Sequence, residues 1–136
     1  AMSLKSLLST LREYQPHRIV CLFGCGGNRD RSRRFEMGEI SGQMADLTII
    51  TSDNPRKEEP QAIIDDIKTG ISKTNGTYVE IVDRKEAIAY AIHHGEPGDI
   101  IVLAGKGHED YQIIGTTKHH MDERELIQEI LEEDRR

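Results

Sequence analysis

Ile19-Val20-Cys21-Leu22-Phe23 runs directly into Gly24-Cys25-Gly26-Gly27. A continuous apolar run of this length reads as a strand covered on both faces, the habit of parallel sheets. The glycines that end it let the backbone turn sharply and approach a ligand closely.

Three more apolar runs follow: Leu47-Thr48-Ile49-Ile50, Tyr78-Val79-Glu80-Ile81-Val82 and Ile100-Ile101-Val102-Leu103-Ala104. Helical spacing separates them. Leu4, Leu7, Leu8 and Leu11 mark an amphipathic helix over about residues 3–13, with Ser3 as its N-cap and Gln15-Pro16 as its end. Ile63, Ile64, Ile67 and Ile71 mark a second, opened by Pro60, with Gly70 near its end. Ala87, Ile88, Ala91 and Ile92 mark another, where Asp83 and Glu86 resemble a capping box and Gly95 is the stop. His93 and His94 suit the negative end of that helix's dipole. Residues 35–44 are less periodic, but Gly38 and Gly42 stand one turn apart and would let a helix lie close on the sheet. Further on, Tyr111–Ile114 and Thr116–His120 flank Gly115 as a short hairpin. Asp122 and Glu125 then cap a helix through Leu126, Ile127, Ile130 and Leu131, with a solvated charged end.

Strands alternating with helices predict an α/β fold, a mostly parallel sheet with helices on both faces, closed by the hairpin. Length agrees: 136 residues suit one domain that buries about two thirds of its unfolded surface. With Lys+Arg 18 against Asp+Glu 24 the chain is mildly acidic, which argues against bulk binding to nucleic acid or to an anionic membrane. It carries neither a span-length apolar stretch nor a secretory segment. Cys21 and Cys25 match neither the redox C-x-x-C nor a metal pattern and read as cytosolic thiols.

Ligands of such sheets bind beyond the carboxyl ends of the strands. The segments in those places are charged. Gly24–Arg34 carries Arg29, Arg31, Arg33 and Arg34 behind its glycines, a field that suits phosphates or carboxylates. Thr51-Ser52-Asp53-Asn54-Pro55-Arg56 gathers an acid, an amide and a guanidinium around a stiff proline. Arg56 could fork onto a carboxylate while Asp53 and the Asn54 amide oxygen accept from an ammonium. The same residues would also serve as an Asx-type turn with Arg56 in solvent. Gly105-Lys106-Gly107-His108-Glu109-Asp110 supplies base, imidazole and acid at the third end. Neither a G-x-G-x-x-G fingerprint nor a Walker A loop is present.

F-G-C-G-G-x-R-D at 23–30, S-D-N-P-R at 52–56 and G-K-G-H-E-D-Y-Q at 105–112 occur in order. Together they closely resemble the C-terminal domain of the Mur ligase family, over nearly the whole chain. The resemblance implies a Rossmann-like domain of a cytoplasmic, ATP-dependent amide-bond ligase of peptidoglycan synthesis. In that chemistry a UDP-N-acetylmuramoyl dipeptide is activated as an acyl phosphate and the amine of an amino acid attacks it. Carried over by motif, Arg29, Asp53, Asn54, Pro55, Arg56, Gly105 and Glu109 would bind the amino acid. The D-N-P-R form implies meso-diaminopimelate rather than lysine, since its extra carboxylate can pair with Arg56. Asp30, Arg34, Lys106 and His108 are candidates for phosphate or inter-domain contact. No catalytic residue or metal ligand is assigned here. ATP and Mg2+ would serve the full-length enzyme, and none would be bound by this domain alone, which reads as one excised domain of a three-domain protein, inactive by itself.

Asn28 and Phe35 depart from the family's commoner Asp and Pro, without touching a carried-over contact residue. A stand-alone regulatory module is the alternative, phospho-receiver-like or nucleotide-binding. Asp53 and Lys106 invite the receiver comparison, yet Gly24-Cys25-Gly26 stands where a receiver needs an acidic pair for magnesium. A nicotinamide-binding domain would need the missing glycine fingerprint.

Overall fold

The computed structural model describes residues 3–27, 31–53, 57–104, 111–114, 117–120 and 123–134. Strands β1 (Ile19–Phe23), β2 (Leu47–Ile50), β3 (Thr77–Glu80) and β4 (Ile100–Leu103) form a parallel sheet in the order β3-β2-β1-β4. Helix α1 (Leu4–Arg12) precedes the sheet, and α2 (Ser32–Met44), α3 (Pro60–Ile71) and α4 (Arg84–His93) form the crossovers. An antiparallel pair, β5 (Tyr111–Ile114) and β6 (Thr117–His120), and helix α5 (Glu123–Asp134) complete the chain. The α/β class and the hairpin expected from the sequence are both present.

β1 is central. Val20 pairs with Leu47 of β2 on one side and with Ile101 of β4 on the other. The chain steps outward from β1 through β2 to β3, then crosses back to place β4 on the free side of β1. That reversal is the topological switch point at which open α/β sheets hold ligands.

The unbroken apolar character of β1 has a direct cause. Ile19, Cys21 and Phe23 face Leu8, Met37, Ile63, Ile64, Ile67 and Ile71 of α1, α2 and α3. Val20 and Leu22 face Ala87, Ile88 and Ala91 of α4 and Ile130 of α5. With both faces covered, no position along β1 is left for a polar residue. The four isoleucines of α3 are no more than 2% exposed. Burying each contributes about 1.5–3 kcal/mol before the opposing entropy.

Helix ends follow local chemistry. Ser3 Oγ accepts from the Ser6 amide at 3.1 Å, and Asp83 Oδ2 accepts from the Glu86 amide at 2.9 Å. Pro60 occupies the first turn of α3, where its missing N–H costs nothing. His94 caps the end of α4 and stacks on Tyr90 with ring centroids 4.0 Å apart. Asp122, expected as a cap of α5, lies outside the described residues.

The glycines of α2 differ from expectation. They bring α2 against α3, not against the sheet. A Cβ on Gly38 would collide with the Ile67 carbonyl oxygen, and one on Gly70 with the Phe35 carbonyl oxygen. The two backbones therefore touch, which only residues without a Cβ allow. Toward the sheet, α2 offers a hydroxyl instead: Ser41 Oγ lies 2.7 Å from Thr48 Oγ1 of β2.

Candidate functional site

At the carboxyl end of the sheet the ladder runs on past the strands. The Thr51 amide donates to Phe23 O at 3.0 Å, and the Ala104 amide donates to Leu22 O at 2.9 Å. The roots of the three charged segments are thus tied to the same strand. Gly24 tightens the first pair: a Cβ there would lie 2.8 Å from the Asp53 amide nitrogen and 2.8 Å from the Ser52 carbonyl carbon. The segment after β1 and the segment after β2 pack backbone on backbone.

The approach to Asp53 is fixed from its other side too. Ser52 donates to Val82 O from its amide at 3.3 Å and from Oγ at 2.8 Å, and Thr51 Oγ1 donates to the same carbonyl at 3.2 Å. Arg84 Nη1 donates to Ser52 O at 3.0 Å. Arg84 opens α4 and is 1% exposed. A buried guanidinium is tolerated only where its donors are used, and here it clamps the entry to the Asp53 turn.

Arg34 stands in a different setting from the one expected for a phosphate or inter-domain contact. Its side chain is 2% exposed, inside the protein. Nη2 meets Glu58 Oε1 at 2.7 Å and Gly26 O at 3.4 Å, while Nη1 meets Asp66 Oδ2 at 2.9 Å. Arg31 adds a two-pronged contact to Asp66, from Nε at 3.1 Å and from Nη2 at 2.9 Å. Hydrogen bonds from Arg31, then from Arg34, hold the Asp66 carboxyl below the usual carboxylate range against the opposing effect of burial. Two of the four arginines of the segment are thereby matched by carboxylates of the β2–α3 connection and of α3. Arg33 stands exposed.

Of the residues expected to bind the amino acid, Asp53 is described and half-buried beside Gly24. Arg29, Asn54, Pro55, Arg56, Gly105 and Glu109 lie outside the described residues, as do Asp30, Lys106 and His108, and the departure Asn28. Sequence reasoning missed Glu58, Asp66 and Arg84. The available signal was charge complementarity between an arginine-rich segment and the acids around α3, usable only once α2 and α3 are known to be neighbours.

The family implies ATP and Mg2+. Among the described residues no phosphate cradle fits them: Gly24 is filled by the β2 segment, and the Arg31 and Arg34 heads are engaged by carboxylates. Burial pushes both thiols up to about 11, so neither Cys21 nor Cys25 is a nucleophile near neutrality.

Comparison with known proteins gives the family. Residues 1–107 match the family described as Mur ligase, glutamate ligase domain. A UDP-N-acetylmuramoyl-L-alanyl-D-glutamate--2,6-diaminopimelate ligase of Caldanaerobacter subterraneus subsp. tengcongensis is 52% identical over 130 residues, covering 96% of this chain and 27% of that protein. The ligase of the same name from Gloeobacter violaceus is 52% identical over 128 residues, covering 94% of this chain and 26% of that protein. A solved structure of an enzyme with that name superposes with a TM-score of 0.91 at 38% identity, covering 98% of this chain and 27% of that one. The chain thus spans about a quarter of the length of the relatives it matches. With its switch-point sheet and its motif segments rooted on one strand, the chain belongs to the Mur ligase family, through its glutamate ligase domain.

Proposed function

We propose that this chain is the amino-acid-binding domain of an ATP-dependent ligase that joins meso-diaminopimelate to UDP-N-acetylmuramoyl-L-alanyl-D-glutamate in cytoplasmic peptidoglycan synthesis. Its relatives carry the name of that ligase at about half identity. The observation that carries the reading is the packing of Gly24 on the backbone of Ser52 and Asp53, which joins two motif segments at the carboxyl end of the sheet. Arg29, Asp53, Asn54, Pro55, Arg56, Gly105 and Glu109 supply charges and turns that suit a zwitterion with a second carboxylate. ATP, Mg2+ and the nucleotide-linked dipeptide are handled mainly by other parts of the enzyme, and this domain alone does not turn over ATP.

The test is phosphate release by the full-length protein supplied with ATP, Mg2+ and the dipeptide substrate. Release should depend on meso-diaminopimelate and not on lysine, and the 136-residue chain alone should release none above the blank. A full-length protein indifferent to diaminopimelate would overturn the reading. Turnover by the chain alone would overturn the division of labour.

A further inference from the structure

We propose that Arg34, Glu58 and Asp66 form a positioning element that sets the spacing between the segment carrying Arg29 and the segment carrying Asn54–Arg56, and thereby the affinity for diaminopimelate. The proposal rests on the reading of the chain as an amino-acid-binding domain. It concerns residues outside the set expected to bind the amino acid.

The geometry is that of a strut. The guanidinium of Arg34 reaches Gly26 O in the segment after β1, Glu58 in the segment after β2, and Asp66 in the second turn of α3. Gly26 lies three positions before Arg29, and Glu58 two positions after Arg56. One buried head group therefore spans both substrate segments and anchors them to a helix whose isoleucines are fixed in the core. Arg31 adds two hydrogen bonds to Asp66, one of them to the Oδ2 that Arg34 also reaches.

Stability alone is a poor account of this arrangement. Desolvating ion pairs offsets most of their attraction, and a well-packed apolar set serves the core as well or better. Among the described residues Arg34 Nε is also buried without a hydrogen-bond partner, a loss that a purely stabilising pair would avoid. What the charged network provides, and apolar packing does not, is direction: fixed donors fix where two backbone segments sit. Binding groups misplaced by about 1 Å can cost about a hundredfold in rate.

The test uses the full-length ligase and three variants. Glu58→Ala removes the acceptor; Glu58→Gln keeps an oxygen for Arg34 Nη2 without the charge. Ser41→Ala breaks the buried Ser41–Thr48 hydrogen bond on the same helix, away from the substrate segments. Glu58→Ala should raise KM for diaminopimelate about tenfold and Glu58→Gln about threefold, with KM for ATP moving less than about twofold in both. Ser41→Ala should lower Tm and leave both KM values alone. If Glu58→Ala lowers Tm while KM for diaminopimelate stays put, or if both KM values rise together, the network is structural only. Should Glu58→Ala fail to fold, an unchanged KM in Glu58→Gln overturns the proposal by itself. A wild-type enzyme that does not use diaminopimelate ends the functional reading and this inference together; a wild-type enzyme that uses it beside an indifferent Glu58→Gln ends the inference alone.

Discussion

Gly24 rests on the backbone of Asp53 so closely that a methyl group does not fit between them: a Cβ would stand 2.8 Å from the Asp53 amide nitrogen. The obstructing atoms are main-chain atoms held by the sheet, so no side chain can swing aside to make room. Gly24→Ala must push the two segments apart. We expect a loss of about 1–3 kcal/mol, the usual cost of overpacking, together with weaker use of diaminopimelate by the full-length ligase. Denaturant unfolding of the chain and KM of the ligase measure the two effects. An alanine variant as stable as the parent would show that the contact is not enforced.

At the amino end of the sheet, Arg18 donates to Asp99 from Nη2 at 2.7 Å and from Nε at 3.1 Å, and the Glu96 amide donates to the same carboxylate at 2.9 Å. The Arg18 hydrogen bond first, and then the Glu96 amide, hold the Asp99 carboxyl below its ordinary range, with burial opposing them. A carboxylate whose folded pKa is depressed binds fewer protons folded than unfolded. Its stabilisation is therefore complete above the unfolded value near about 4 and lost as pH falls through the folded one. Asp66 is shifted in the same direction and adds to the same acid limb. Thermal unfolding of Asp99→Asn should start lower than the parent at pH 7, by about 4 °C or more. The gap should narrow below about pH 4, where the parent loses the same charge. A gap that is constant across pH would mean that the carboxylate charge contributes nothing.

How much of this was open to reading from the residues depends on the distance over which each feature acts. β1, α1, α3 and α4 carry their reasons locally: a doubly covered apolar run, isoleucines at helical spacing, Ser3 and Asp83 at the caps. α2 does not, because its buried side sets a single large apolar residue, Met37, among Arg34, Gly38, Ser41 and Gly42. Its partner is the backbone of α3, and no periodicity reports that. The Arg34 contacts to Glu58 and Asp66 span 24 and 32 positions in sequence. Read locally, an arginine in an arginine-rich segment looks like a ligand contact. Only the adjacency of α2 and α3 turns it inward. The motif residues were legible as a family pattern, and the roots of their segments meet as the parallel topology requires.

Selection between meso-diaminopimelate and lysine is the finest consequence of the proposed function, and Arg56 is the residue to test. The amine that would attack the activated dipeptide belongs to the end that both amino acids share. Discrimination must then come from the far end, where only diaminopimelate presents a carboxylate. A guanidinium paired with that carboxylate is left desolvated and unpaired when lysine binds, so one group both recognises and rejects. Removing one partner of such a pair costs about 2 to 5 kcal/mol, less where water can replace it. Arg56→Ala in the full-length ligase should therefore raise KM for diaminopimelate at least about tenfold. Lysine should be used as before or slightly better. The deciding number is the ratio of kcat/KM for the two amino acids before and after substitution. If that ratio does not move, Arg56 does not select the substrate, and its place in the Asp53–Arg56 stretch is that of a turn residue in solvent.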